Sequence, residues 1–118
     1  MTAMAQTDTK TLTYQDVIAQ VAAGDMTLID VRDMNEVAQT GKAKGAQHIP
    51  LMQLNYKADP NHPEFYNGLY TNKPVAVYCA AGGRAGMAVN ILNQLGYETT
   101  INIGGFGHWV QAGGPVEK

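Results

Sequence analysis

Residues 75–78 are the part of this chain that most constrains its fold. The four residues, Val-Ala-Val-Tyr, are all apolar, and Cys79 follows them at once. A strand that is apolar on both faces needs cover on both sides, as a central strand of a parallel sheet has. Residues 84–95 then carry apolar side chains at helical spacing and end at Gly96. This strand, loop and helix predict an α/β fold.

The flanking sequence repeats the alternation of helix and strand. A helix is predicted between Thr13 and Gly24, a strand over residues 27–31, and a second helix whose capping box pairs Asp33 with Glu36. We further expect a strand at 46–49, a helical turn at 51–54, a surface loop at 57–73, a strand at 99–103, a turn at 104–105 and a helix at 106–112. These elements predict a mostly parallel sheet with helices on both faces, and a site at the carboxyl ends of its strands.

Composition excludes several function classes. At 118 residues, the chain is predicted to form one domain over residues 11–118, preceded by a flexible segment at 1–10. Its net charge of −2 favours neither nucleic acid nor a membrane surface as partner. The sequence contains no apolar run of about 18 to 20 residues and no signal peptide, so we expect a cytoplasmic protein. With a single cysteine and no paired histidines, we expect neither a disulfide nor a bound metal.

The segment from Cys79 to Arg84 carries the clearest chemical signal. The small residues between them, Ala-Ala-Gly-Gly, allow the backbone to curl so that successive amides point toward the sulfur. The start of a helix and the charge of Arg84 both favour a thiolate, which is the nucleophilic form. An arginine at a helix start opposes the helix dipole, so Arg84 is expected to have an anionic partner. The alternative is that Cys79 is a small buried residue with a structural role only.

In order and spacing, these motifs resemble those of single-domain rhodaneses over residues 11–117. The motifs are Cys79-x4-Arg84, residues 29–33 (Ile-Asp-Val-Arg-Asp) with Glu36, residues 45–50 (Gly-Ala-Gln-His-Ile-Pro), and Gly104-Gly105 with Trp109 and residues 112–116. The resemblance implies a rhodanese-like three-layer α/β domain with a five-stranded, mostly parallel sheet. It also implies a sulfurtransferase without a cofactor, which moves a sulfane sulfur through a persulfide.

The resemblance also assigns roles to individual residues. Cys79 would carry the persulfide, and the backbone of Ala80, Ala81, Gly82, Gly83 and Arg84 would bind the outer sulfur. Asp30 and Arg32 would support the pocket without touching the sulfur, although a purely structural cap and ion pair is the alternative. The donor would be thiosulfate or a low-molecular-weight persulfide, and the acceptor a thiol, cyanide or a protein.

Two features of the loop keep other functions open. Ala80, Ala81 and Ala85 stand where many catalytic family members have a cation or a hydroxyl, which predicts weak use of thiosulfate and better use of a less charged persulfide. Cysteine phosphatases and arsenate reductases of this fold have five residues between Cys and Arg, whereas this chain has four. A phosphatase is therefore a weaker alternative, and a non-catalytic protein-binding module is another.

Overall fold

A computed structural model describes residues 12–118 of the chain. The predicted flexible segment at 1–10 lies outside these residues. The helices are α1 (Tyr14–Ala23), α2 (Met34–Thr40), a 3-10 turn (Leu51–Gln53), α3 (Leu54–Lys57), α4 (Gly83–Gln94) and α5 (Phe106–Gln111). The strands are β1 (Thr27–Asp30), β2 (Lys42–Ala43), β3 (Gln47–His48), β4 (Val75–Cys79), β5 (Thr100–Gly105) and β6 (Val116–Glu117). Within residues 12–118, no helix is both long and apolar enough to cross a membrane.

The central sheet has the order β3-β1-β4-β5, and all of its neighbouring strands are parallel. The predicted α/β class is therefore confirmed. The predicted count of five strands differs, because the main sheet of the described chain has four. The short strands β2 and β6 instead form a separate antiparallel pair, in which Lys42 lies opposite Glu117 and forms an ion pair with it.

Local sequence signals account for most element boundaries. Thr13 accepts a hydrogen bond from the Asp16 amide at the start of α1, and Gly24 ends that helix at a φ of 82°. The strand predicted at 46–49 is only two residues long, since Pro50 follows it closely. The turn predicted at 104–105 is wrong, because β5 continues to Gly105, which pairs with Cys79 across a register shift.

Side chains alternate along β4 and divide the core into two layers. Val75, Val77 and Cys79 pack on one face with the buried side of α4. Ala76 and Tyr78 pack on the opposite face, where α1 and α5 cover the sheet. All five residues of β4 are buried, as the uninterrupted apolar sequence predicts for a strand covered on both sides.

A charged network is buried in the layer that contains Tyr78. The guanidinium of Arg32 donates to Asp30 from Nε at 3.0 Å and from Nη2 at 2.8 Å, and both residues are almost fully buried. The Tyr78 hydroxyl donates to the same carboxylate at 2.7 Å and accepts from the Ala43 amide at 2.9 Å. Burial, and next the bond to Asp30, raise the pKa of Tyr78, so its phenol remains a donor. The predicted ion pair thus ties β1, β4 and β2 together.

We expect Arg32→Met to lower the free energy of unfolding by about 3–5 kcal/mol, because it leaves the Asp30 carboxylate buried without its counter-charge. Urea denaturation would measure the loss. Lys42→Met is the matched control, since its ion pair with Glu117 is partly exposed and its loss should cost no more than about 1 kcal/mol. Equal, small losses in the two variants would show that the buried network does not stabilise the fold.

Candidate active site

Cys79 is the last residue of β4 and lies at the carboxyl edge of the parallel sheet. Its side chain is buried among the residues that face α4. The chain then turns through Ala80, Ala81 and Gly82 and enters α4 at Gly83. Gly82 has a φ of 109°, a left-handed conformation that side chains oppose. The glycine therefore allows the turn that brings the start of α4 back over the sulfur.

Two backbone amides point at the sulfur of Cys79. The amide nitrogen of Gly82 lies 2.9 Å from Sγ, and that of Ala85, in the first turn of α4, lies 3.4 Å from it. The first amides of a helix have no partner within the helix and form its positive end. Both contacts therefore direct the positive ends of backbone N–H dipoles at the sulfur. Of the amides predicted to point at the sulfur, that of Gly82 does so, and the Ala85 amide, which lies one residue beyond the predicted segment, joins it.

An asparagine of β5 is hydrogen-bonded to the Cys79 loop. Asn102 donates from Nδ2 to the Gly82 carbonyl at 3.1 Å, and its Oδ1 accepts from the Gly104 amide at 2.8 Å. One side chain therefore fixes the Cys79 loop and the end of β5 relative to each other. Asn102 was not predicted from the sequence. The sequence feature that could have indicated it is a polar residue between two isoleucines, in a strand segment near the carboxyl edge of the sheet.

The end of β5 also approaches the loop without room for a side chain. A Cβ added at Gly105 would lie 2.2 Å from the carbonyl oxygen of Ala80 and 2.9 Å from its carbonyl carbon. These are backbone atoms, so a side chain at Gly105 would force the loop to move. The glycine pair predicted as a turn thus serves as a surface against which the Cys79 loop packs.

The anionic partner expected for Arg84 is Glu36 of α2. The Nη1 and Nη2 atoms of Arg84 lie 2.7 and 2.9 Å from Oε1 and Oε2 of Glu36. Oε1 also accepts from the Asp33 amide at 2.9 Å, which is half of the predicted capping box. The hydrogen bond from Arg84, and next that from Asp33, lower the pKa of Glu36 from 4.5 to about 2, and the same pairing raises the pKa of Arg84. The sequence identified Glu36 as a cap and missed this second contact.

The remaining predicted site residues lie in two different places. Ala80, Ala81 and Gly83 line the exposed side of the loop, as expected for residues that present their backbone. Asp30 and Arg32 lie elsewhere, since both contact the ring or hydroxyl of Tyr78, whose side chain is on the face opposite to Cys79. The structure thus places this pair in the packing of the sheet, which agrees with the structural alternative.

The site offers backbone donors rather than metal ligands. Within residues 12–118, no group of three or more His, Cys, Asp or Glu side chains is placed to hold a metal ion. The arrangement provides a buried cysteine sulfur, two backbone amides directed at it, and a loop held in place by β5. Such a site can form a covalent bond through sulfur without a second protein nucleophile.

Several known proteins and one family of domains resemble this chain. The chain matches the rhodanese-like domain over residues 13–112. It is 37% identical over 101 residues to YqhL, an uncharacterized protein of Bacillus subtilis, which covers 85% of this chain and 71% of YqhL. It is 36% identical over 77 residues to the thiosulfate sulfurtransferase PspE of Escherichia coli, covering 65% of this chain and 67% of PspE. A solved structure from Rhodopseudomonas palustris, described as a protein of unknown function and a possible tyrosine phosphatase, has a TM-score of 0.76 and 32% identity, covering 88% of this chain and 81% of that one.

We expect Gly105→Ala to displace the Ala80 carbonyl and to lower the free energy of unfolding by about 1–3 kcal/mol, the usual cost of overpacking. Urea denaturation and the rate of Cys79 alkylation by iodoacetamide would detect both effects. Gly107→Ala is the matched control, because a Cβ there meets nothing within 4 Å. That change should leave alkylation unchanged and stabilise α5 slightly. Identical behaviour of the two variants would contradict the close packing of β5 against the loop.

The Glu36–Arg84 pair should make stability depend on acid pH. The folded pKa of Glu36 is about 2 and the ordinary value is 4.5, so the contribution of this group is complete above 4.5 and is lost as pH falls through 2. The difference in unfolding free energy between the wild type and Glu36→Gln should therefore narrow over that range. Arg84→Met should show the same narrowing, because it removes the other half of the pair. A constant difference across this range in both variants would argue against the pairing.

Proposed function

The chain belongs to the family of rhodanese-like domains, and on this premise we propose that it is a sulfurtransferase whose Cys79 carries the transferred sulfur as a persulfide. The observation that carries the proposal is the pair of amides, from Gly82 and Ala85, that point at Sγ at 2.9 and 3.4 Å. Backbone donors at these distances stabilise a thiolate without a general base. The naming of PspE as a thiosulfate sulfurtransferase supports the same activity.

The first half of the proposed reaction loads the cysteine. The Cys79 thiolate attacks the outer sulfur of the donor, and a new bond forms between that sulfur and Sγ. The sulfur–sulfur bond of the donor breaks, and the leaving group departs with the electron pair. Thiosulfate releases sulfite in this step, and an organic persulfide releases a thiolate. The loop gives the attacking sulfur a fixed direction, because Asn102 and Gly105 hold it from the β5 side.

The second half passes the sulfur on. A nucleophilic acceptor, such as a thiol, cyanide or a protein thiol, attacks the outer sulfur and regenerates the Cys79 thiolate. The donors suited to hold the outer sulfur are the amides of Gly83 and Arg84. The hydrogen bonds within α4 begin with the one from the Gly86 amide to the Gly82 carbonyl, at 3.1 Å. The amides of Gly83 and Arg84 come before it in the chain, and amides in the first turn have no partner within a helix. The role assigned to residues 80–84 is thus one of backbone rather than side chain.

Phosphate-ester hydrolysis is a second candidate because of the Rhodopseudomonas palustris neighbour, which is described as a possible tyrosine phosphatase. A phosphate dianion requires a cation that is free to bind its oxygens. In this chain, both terminal nitrogens of Arg84 already bind the two oxygens of Glu36. The loop also has four residues between Cys79 and Arg84. Both features favour sulfur transfer over phosphate chemistry.

We expect purified protein to gain the mass of one sulfur atom after incubation with thiosulfate or a low-molecular-weight persulfide, and to lose it when cyanide is added. Intact mass spectrometry follows both steps, and Cys79 is the only cysteine, so the site of loading is unambiguous. Cys79→Ser is the control and should stay unloaded, with an unchanged thermal unfolding midpoint. Failure of both donors would refute the proposal and favour a binding module, whereas release of p-nitrophenol from its phosphate ester would favour the phosphatase.

A further inference from the structure

The guanidinium of Arg84 is paired with a carboxylate of the same chain. Its two terminal nitrogens face the two oxygens of Glu36 at 2.7 and 2.9 Å, a bidentate geometry in which each oxygen has its own donor. The two side chains are 30% and 32% exposed, so the pair lies at the surface beside the loop. A guanidinium held in this way contributes little net charge to an incoming anion.

Glu36 does not depend on Arg84 alone for its position. Its Oε1 also accepts the hydrogen bond from the Asp33 amide, so the start of α2 orients the carboxylate toward the loop. Asp33 itself adds a further negative charge close to Arg84. The Arg84 guanidinium therefore has two carboxylates in its surroundings, that of Glu36 in direct contact and that of Asp33 farther away.

The side chains that the loop itself exposes are apolar. Ala80 and Ala81 are exposed on the loop itself. Met34, the first residue of α2, is 73% exposed, and Met87, in the second turn of α4, is 53% exposed. Both helices begin at the edge of the sheet where β1 and β4 end, which is the edge that carries Cys79. The side chains exposed on the loop and near the starts of these two helices therefore include methyl and thioether groups.

We propose that Glu36 determines the donor preference of Cys79: by binding Arg84 it withholds the cation of this loop from dianionic donors and favours organic persulfides of low charge. This inference rests on the proposed sulfurtransferase function. Both donors undergo the same exchange of one sulfur–sulfur bond for another. They differ in the charge of the leaving group, which is the sulfite dianion from thiosulfate and a single thiolate from a persulfide. The preference for one donor over the other therefore depends on how the charge near the loop attracts the incoming donor and retains its leaving group.

The test compares two donors in the wild type, Glu36→Gln and Glu98→Gln. The donors are thiosulfate and 2-hydroxyethyl persulfide, which has no charged group besides its reacting end. Glu98 is an exposed acid just before β5, at the opposite edge of the sheet, so its variant removes the same charge away from the loop. The readout is the second-order rate constant for loading Cys79, followed by intact mass.

We expect Glu36→Gln to raise the ratio of thiosulfate to persulfide rate constants about fivefold, the size of a surface charge effect, and Glu98→Gln to leave it unchanged. Added sodium chloride should slow thiosulfate loading in Glu36→Gln, since salt screens the attraction between Arg84 and thiosulfate in that variant. It should have little effect in the wild type, in which Glu36 pairs with Arg84. A merely structural role for Glu36 would change both donors by the same factor. An unchanged ratio, or an equal fall for both donors, would overturn the inference.

A second variant tests the same inference if Glu36→Gln does not fold. Ala81→Lys adds a cation to the exposed loop and leaves the Glu36–Arg84 pair in place. The inference expects it to raise the same ratio, and a ratio equal to that of the wild type would overturn it. Failure of both donors to load the wild-type protein is a different result, because it would refute the sulfurtransferase function itself.

Discussion

The alternation of side chains at the end of β4 is the constraint on which both the fold and the site depend. Tyr78 and Cys79 are neighbours in a strand that is buried on both faces, so they must point to opposite sides of the sheet. Tyr78 joins the buried Asp30–Arg32 pair, which ties β1 to the β2 segment. Cys79 faces the layer of α4, whose first turn then supplies an amide to the sulfur. A register shift of one residue would exchange the two and destroy both arrangements.

Two arginine–carboxylate pairs have different roles, one in the stability of the fold and the other beside the Cys79 loop. The pair of Arg32 and Asp30 is almost completely buried, so its importance lies in the cost of leaving either partner alone. The pair of Arg84 and Glu36 is about one-third exposed, and its importance lies in the field that it presents beside the loop. The same chemical pairing thus has different consequences, because burial decides whether solvent can replace a lost partner.

The sequence predicted contacts that are local and missed those that cross between strands. The path from β4 through the loop into α4 was predictable, because its apolar run, small residues and helical spacing are contiguous. Asn102, Gly105 and the pairing of Glu36 with Arg84 were not predicted, since each joins residues that are far apart in the chain. Glu36 shows the reason most clearly. Its capping role explained the residue fully at the local level, so the anionic partner expected for Arg84 could not be identified as Glu36, which lies 48 positions away.

A cradle of amides suits a sulfur whose charge moves during the proposed cycle. The negative charge lies on Sγ before loading and shifts outward by one atom when the persulfide forms. Partial charges spread over the Gly82 to Ala85 backbone can follow this movement, because consecutive amides at a helix start point into the same space. A full cation fixed beside Sγ would favour one of the two positions and would also retain an anionic leaving group. In the proposed cycle, the pairing of Arg84 with Glu36 leaves the backbone amides as the donors that face the sulfur in both states.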